Sequence, residues 1–229
     1  FFFKQKTAYE IKECDWSSDV CSSDLEFVPI AEENGTIHAI GRTVLREACS
    51  TVAGWRADGL VDDEFGLAVN ISARQLDRPD IADEVLAAVT GAGLDPSTVW
   101  LEVTETALIA DRDRAVAALA ALRRAGIHVS IDDFGTGYGS LGLLQQLPVD
   151  ALKVDRSFVE RLLDDPGAET ITATILSLAS AFGLEVVAEG IERPEQRERL
   201  RAMGCTLGQG YLFSRPLVAD ELRTRILEG

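Results

Sequence analysis

Polar side chains able to do chemistry recur along the chain, each in a short β-rich run. Asn70 lies in GLAVNIS (66–72), Glu102 in VWLEVTE (99–105) and the pair Asp132–Asp133 in HVSIDDF (128–134). Lys153 and Asp155 lie in ALKVD (151–155), Glu189 in LEVVAEG (184–190) and Gln209 in GQGYLF (208–213). The steps from Asn70 through Glu102, Asp132, Lys153 and Glu189 to Gln209 are 32, 30, 21, 36 and 20 residues. Carboxylates brought to one place repel each other and do not all ionise unaided. Oxygen-rich sets of this kind suit hard divalent cations such as Mg²⁺ or Mn²⁺. Two neighbouring acids at a strand end can serve two ions, and a pair of cations about 4 Å apart is common machinery for cleaving a phosphodiester.

Other chemistries lack their residues. His38 and His128 are isolated, and His128 reads as a structural histidine. The glycine-rich stretch Phe134–Ser140 has no lysine–serine pair to cradle a nucleotide phosphate, so it reads as a tight, mobile loop over the site.

The elements between the runs tell how the site is positioned. Ile171, Ile175, Leu178, Ala179 and Phe182 form a helical stripe, and so do Ile40, Val44, Leu45, Ala48, Val52 and Trp55. Val116, Leu119, Ala120 and Leu122–Arg123 form a helical face and its flank, Pro194 suits a helix start, and Ala219–Leu227 reads as a closing helix. Strands alternating with helices imply a parallel sheet. In a doubly wound sheet only the switch point gathers polar strand ends. In a (β/α)8 barrel every strand ends at one mouth. Six polar strand ends therefore favour an α/β barrel.

The chain has 229 residues and a formal charge of −16. With no basic stripe, it is not expected to bind a nucleic-acid polymer. No apolar run approaches the roughly 20 residues of a membrane span. Cys14, Cys21, Cys49 and Cys205 are too scattered for a disulfide framework or zinc site, so a cytoplasmic setting is expected, including the cytoplasmic part of a larger membrane protein.

Composition changes near residue 25. Residues 1–25 contain three of the four lysines, and DWSSDVCSSDL (15–25) resembles a translated sequencing adapter. The expected organisation is therefore a non-native segment over 1–25 and one domain over 26–229. The first segment contributes three lysines and five acids, so the remainder keeps a charge of −14. From residue 26 onward there are 18 arginines and one lysine, Lys153. Lysine is a compact point charge with a tunable pKa, so its survival marks a place where arginine will not serve.

Taken in order, Asn70–Ser72, Glu102–Glu105, DDFGTGYGSL (132–141), LKVDRSFV (152–159), VAEGIE (187–192) and GCTLGQGYLFSRPL (204–217) resemble the motifs of EAL-domain cyclic-di-GMP phosphodiesterases. EFVPIAEENGTI (26–37) also fits that family. The resemblance implies a modified (β/α)8 TIM-like barrel that cleaves cyclic-di-GMP to the linear dinucleotide with Mg²⁺ or Mn²⁺, two ions in all. It implies Asn70, Glu102, Asp132, Asp133 and Glu189 as metal ligands. Lys153 would hold or help deprotonate the attacking water, with Asp155 in support. Glu105 would anchor the loop after Asp133, and Gln209 would line the site near metals or substrate. Dimerisation and upstream regulatory domains are family expectations.

Two departures stand out. Gly139 replaces the family's usual serine. The Glu-Ala-Leu signature of the first strand, with its metal-binding glutamate and nearby arginine, has no counterpart in residues 1–25, so that strand is expected to be missing or replaced and activity impaired. The alternative function is a non-catalytic module that senses cyclic-di-GMP.

Overall fold

Alternation within the strands decides how the sheet is covered. Leu67 and Val69, Leu101 and Val103, Val129 and Ile131, and Leu152 and Val154 share one face, and all are buried. The other face carries Asn70, Glu102, Ser130, Asp132 and Lys153. Removing a Leu or Val side chain from water stabilises the fold by about 1.5–3 kcal/mol each. The apolar face is therefore turned toward helices and the polar face toward the barrel interior.

A computed structural model of the chain describes residues 20–137 and 144–228. Strands β1 (Leu67–Asn70), β2 (Val99–Thr104), β3 (His128–Phe134), β4 (Ala151–Val154), β5 (Glu185–Ala188) and β6 (Leu207–Gly208) form one sheet in sequence order. Every neighbouring pair is parallel. The architecture is a modified TIM-like α/β barrel whose wall, among the described residues, is a half-barrel of six strands. Helix Ile37–Ala57 packs on β1, Arg112–Arg124 on β3, and Pro166–Phe182 on β4 and β5. No helix among the described residues is long and apolar enough to cross a membrane.

Local chemistry sets the helix ends. Asp165 accepts a hydrogen bond from the Gly167 amide at 2.8 Å, and Pro166 opens the helix. That helix ends at Gly183, whose φ of +69° is the left-handed turn a glycine makes at no steric cost. Ile175 and Ala179 of the expected stripe are buried and Leu178 is half-buried, whereas Ile171 and Phe182 at its two ends are exposed.

One strand differs from expectation. The sixth run was expected at 208–213, but β6 covers only Leu207–Gly208. Gly210 ends it: a Cβ there would lie 2.3 Å from the Ile191 backbone, so the chain turns against the β5 loop. At the other end, helix Val20–Asn34 begins inside the segment set apart by composition. Residues 1–19, and with them most of the segment set apart by composition, lie outside the described residues, as does Gly139.

Candidate functional site

The C-terminal strand ends carry the polar residues to one mouth. Asn70 ends β1 opposite Glu102 in the register, and Glu105 directly follows β2. Asp155 follows β4, Glu189 follows β5 and Gln209 follows β6. Ladder bonds continue past the assigned ends: Glu189 N donates to Val154 O at 3.1 Å, and Gln209 N donates to Ala188 O at 2.8 Å. The side chains therefore inherit their places from the sheet.

Asp132 and Asp133 reach the mouth together because β3 bulges there. Ile131 pairs with Leu152 and Phe134 with Val154, so two residues of β3 oppose Lys153 alone. Asp133 takes φ +54°, the one positive φ at a non-glycine among the described residues. Its amide donates to Asp132 Oδ1 at 3.0 Å. A regular strand would have sent the two carboxylates to opposite faces.

Lys153 is the centre of the cluster and is 3 % exposed. Its Nζ lies 2.5 Å from Glu102 Oε2, 2.7 Å from Glu189 Oε1 and 3.0 Å from Asp132 Oδ1. Burial disfavours its charge, but Glu102, Glu189 and Asp132 more than offset this, so its pKa is raised and the ammonium keeps its proton. Glu189 is pushed up to about 8, chiefly by burial, with Asp132 and Glu102 adding to the rise against Lys153. Asp133 is pushed up to about 6 by lost hydration and by Asp132 and Asp155.

The donor set fits a hard divalent cation. Oxygens of Asp132, Asp133 and Glu189 lie within 4.8 Å of one another. Gln209 donates from Nε2 to Glu189 Oε1 at 2.7 Å, while its buried Oε1 has no hydrogen-bond partner. A buried carbonyl oxygen without a donor is costly unless something else, such as a cation or substrate, meets it.

The remaining predicted residues stand around this centre. Asn70 is exposed at the end of β1. Glu105 is buried, and its Oε2 accepts from the Gly135 amide at 3.3 Å. A Cβ at Gly137 would fall 2.6 Å from Glu105 Oε1, so glycine lets the loop close over that carboxylate. Asp155 caps helix Arg156–Arg161, accepting from Ser157 N at 3.0 Å. His128 stacks on Trp100 with ring centroids 4.5 Å apart, in line with a structural reading.

Sequence reasoning missed a second layer at the rim. Arg156 pairs with Glu192 at 2.9 Å and lies 6.0 Å from the Tyr211 ring centre, with Arg215 at 5.1 Å from the same ring. Gln196 is buried; it accepts from the Glu192 and Arg193 amides at 2.9 and 2.8 Å and donates to Val159 O at 3.0 Å. It ties the β5 loop to the helix after β4. The available signal was position: Arg156, Glu192 and Tyr211 each lie two or three residues beyond a strand-end residue.

Comparison with known proteins matches this architecture. The family model described as EAL domain covers residues 16–216, starting within the adapter-like segment. The cyclic di-GMP phosphodiesterase NbdA of Pseudomonas aeruginosa is 45 % identical over 194 residues, covering 83 % of this chain and 24 % of NbdA. The same organism's bifunctional diguanylate cyclase/cyclic di-GMP phosphodiesterase MucR is 41 % identical over 197 residues, covering 86 % of this chain and 28 % of MucR. The chain thus spans about a quarter of the length of these two relatives. The MucR phosphodiesterase in complex with c-di-GMP superposes with a TM-score of 0.82 at 40 % identity, covering 87 % of this chain and 80 % of that one. A manganese/cy-diGMP complex of Klebsiella pneumoniae BlrP1 gives a TM-score of 0.73 at 32 % identity, covering 84 % of this chain and 47 % of that one. The strand-end motifs, the barrel and the extent of these matches agree: the chain belongs to the EAL domain family.

Proposed function

We propose that this domain hydrolyses cyclic-di-GMP to the linear dinucleotide in a Mg²⁺- or Mn²⁺-dependent reaction. The observation that carries this reading is the convergence of Asp132, Asp133 and Glu189 on one point beside a buried lysine. Asn70, Glu102, Asp132, Asp133 and Glu189 would hold the ions. When bound, two such ions polarise the phosphodiester and make a water nucleophilic at neutral pH.

The chain's own residues supply the rest. Water adds across one ester: a P–O bond forms to the water oxygen, the bond to the ribose oxygen breaks, and that oxygen takes a proton. Lys153 keeps its proton beside three carboxylates, so it would not accept a proton, and an N–H released by a carboxylate that turns to a metal would donate to the water or a phosphate oxygen. Asp155 fixes the start of the helix after β4 and so the backbone next to Lys153. Glu105 holds the loop after Asp133 through the Gly135 amide. Gln209 keeps Glu189 oriented and leaves its own oxygen free for an ion or the substrate.

The test is hydrolysis of cyclic-di-GMP by the domain, followed by chromatographic separation of cyclic and linear dinucleotide. Product is expected with Mg²⁺ or Mn²⁺ and none with excess chelator. Ca²⁺ should inhibit, because its longer bonds and looser geometry suit a compact site poorly. Turnover undiminished by chelator would contradict a metal mechanism. Tight binding without turnover would make the domain a sensor instead.

A further inference from the structure

We propose that Lys153 is a built-in counter-ion of the metal centre: it holds the ligand carboxylates together and weakens the binding of the divalent ions that share them. The inference rests on reading the strand-end cluster as that centre. Its basis is how the ammonium spends its donors. A lysine ammonium has three N–H donors. Lys153 has three carboxylate oxygens within 3.0 Å, one each from Glu102, Asp132 and Glu189. These come from β2, β3 and the end of β5, so one buried cation links three strand ends. Asp132 and Glu189 also belong to the group whose oxygens converge within 4.8 Å. Two of those three carboxylates therefore already spend an oxygen on Lys153.

Charge arithmetic gives the direction of the effect. Once metals hold Glu102, Asp132, Asp133 and Glu189 in their ionised forms, the four carry −4, and Lys153 brings the ligand set to −3. Two divalent ions would take it to +1, a surplus that attracts a phosphodiester anion. Without Lys153 the same loading stops at zero. Each ion entering the native site meets a like charge a few ångströms away, in surroundings that screen it poorly. It also competes for oxygens held in charge-assisted hydrogen bonds. The lysine thus gives up metal affinity for a preformed ligand set and a net positive loaded site. Arginine would not fill this place, because its planar fork does not match three separate acceptors arranged around a point.

Lys153→Met removes the charge and keeps an unbranched apolar stem. Lys153→Gln removes the charge and keeps a hydrogen-bond donor, which guards against loss of fold. Chelator-stripped wild type and both variants are titrated with Mn²⁺ by calorimetry, and thermal unfolding is followed with and without Mn²⁺. Mn²⁺ should bind at least about tenfold more tightly to both variants, given a unit charge removed from a poorly screened site. Their melting points should fall below wild type in chelator and rise further than wild type on adding Mn²⁺. A variant that folds only with Mn²⁺ supports the same role. Equal or weaker Mn²⁺ binding by both variants, with wild type binding normally, overturns the counter-ion role and leaves the metal centre standing. Absence of Mn²⁺ binding to wild type overturns the metal centre and the counter-ion role together.

Discussion

Asp133 combines two features that substitution can separate: an unusual backbone angle and an unfavourable charge. Its φ of +54° is tolerated by Asp and Asn, is free for Gly, and costs most other residues about 1–2 kcal/mol. Its carboxyl is pushed up from 3.8 to about 6 by lost hydration and by Asp132 and Asp155. A carboxyl raised in the folded state binds its proton more tightly there than in the unfolded chain. Stability therefore falls as pH rises from about 4 through 6, and the cost is complete above that. Asp133 is exposed, so solvent screening reduces this cost to about 1 kcal/mol. Asp133→Asn keeps the backbone preference and removes the charge. Without metal, it should be more stable than wild type at pH 8 and equal to it at pH 4. Asp133→Ala removes the charge but loses the preference, so it should fall below Asp133→Asn by about 1 kcal/mol at both pH values. For a chain of this length that is about 2–4 °C in Tm. Thermal unfolding in chelator at the two pH values reads both effects. Equal stability of the Asn and Ala variants would refute the backbone argument, and a pH-independent Asn gain would refute the charge argument.

Three further outcomes are expected. Lys153→Arg should lose about 10²–10⁴ in turnover at saturating Mg²⁺, because the fork misplaces the group that holds the water, while the protein stays folded; near-normal turnover would remove Lys153 from the reaction. Gly137→Ala should lower turnover by up to about 10² with little change in Tm, because its Cβ would stand 2.6 Å from Glu105 Oε1 and shift the loop rather than the core; unchanged kinetics would show that the loop's closeness to Glu105 is not needed. Cys49 and Cys205 are buried, with thiols pushed up to about 11, so mass spectrometry should find both unlabelled after brief alkylation at pH 8 and labelled after unfolding.

Much of this architecture is legible before any coordinates. Strand positions follow from β-rich runs ending in polar residues, and five of the six expected runs contain their strands almost end to end. The sixth is cut short by a backbone contact between Gly210 and Ile191, which no local pattern encodes. The lone lysine pointed to Lys153 by residue type, but its three carboxylate partners lie 51, 21 and 36 residues away and meet only through the sheet register. The bulge is equally silent in sequence: HVSIDDF looks like a regular strand, and only pairing against β4 reveals two residues facing one. Nothing in the local sequence singles out Gln196, whose three bonds tie the β5 loop to the helix after β4. Asn70 is exposed at the end of β1, opposite Glu102 in the register.

The most direct test of the metal centre is a crystal structure of the domain soaked in Mn²⁺, with anomalous scattering collected at the manganese edge. Anomalous peaks are expected among the carboxylates of Asp132, Asp133 and Glu189, about 2.0–2.3 Å from their oxygens, with Glu102 and Asn70 close enough to complete the coordination. Manganese bound elsewhere on this acidic surface, with Lys153 and its three carboxylates undisturbed and no peak among them, would contradict the account.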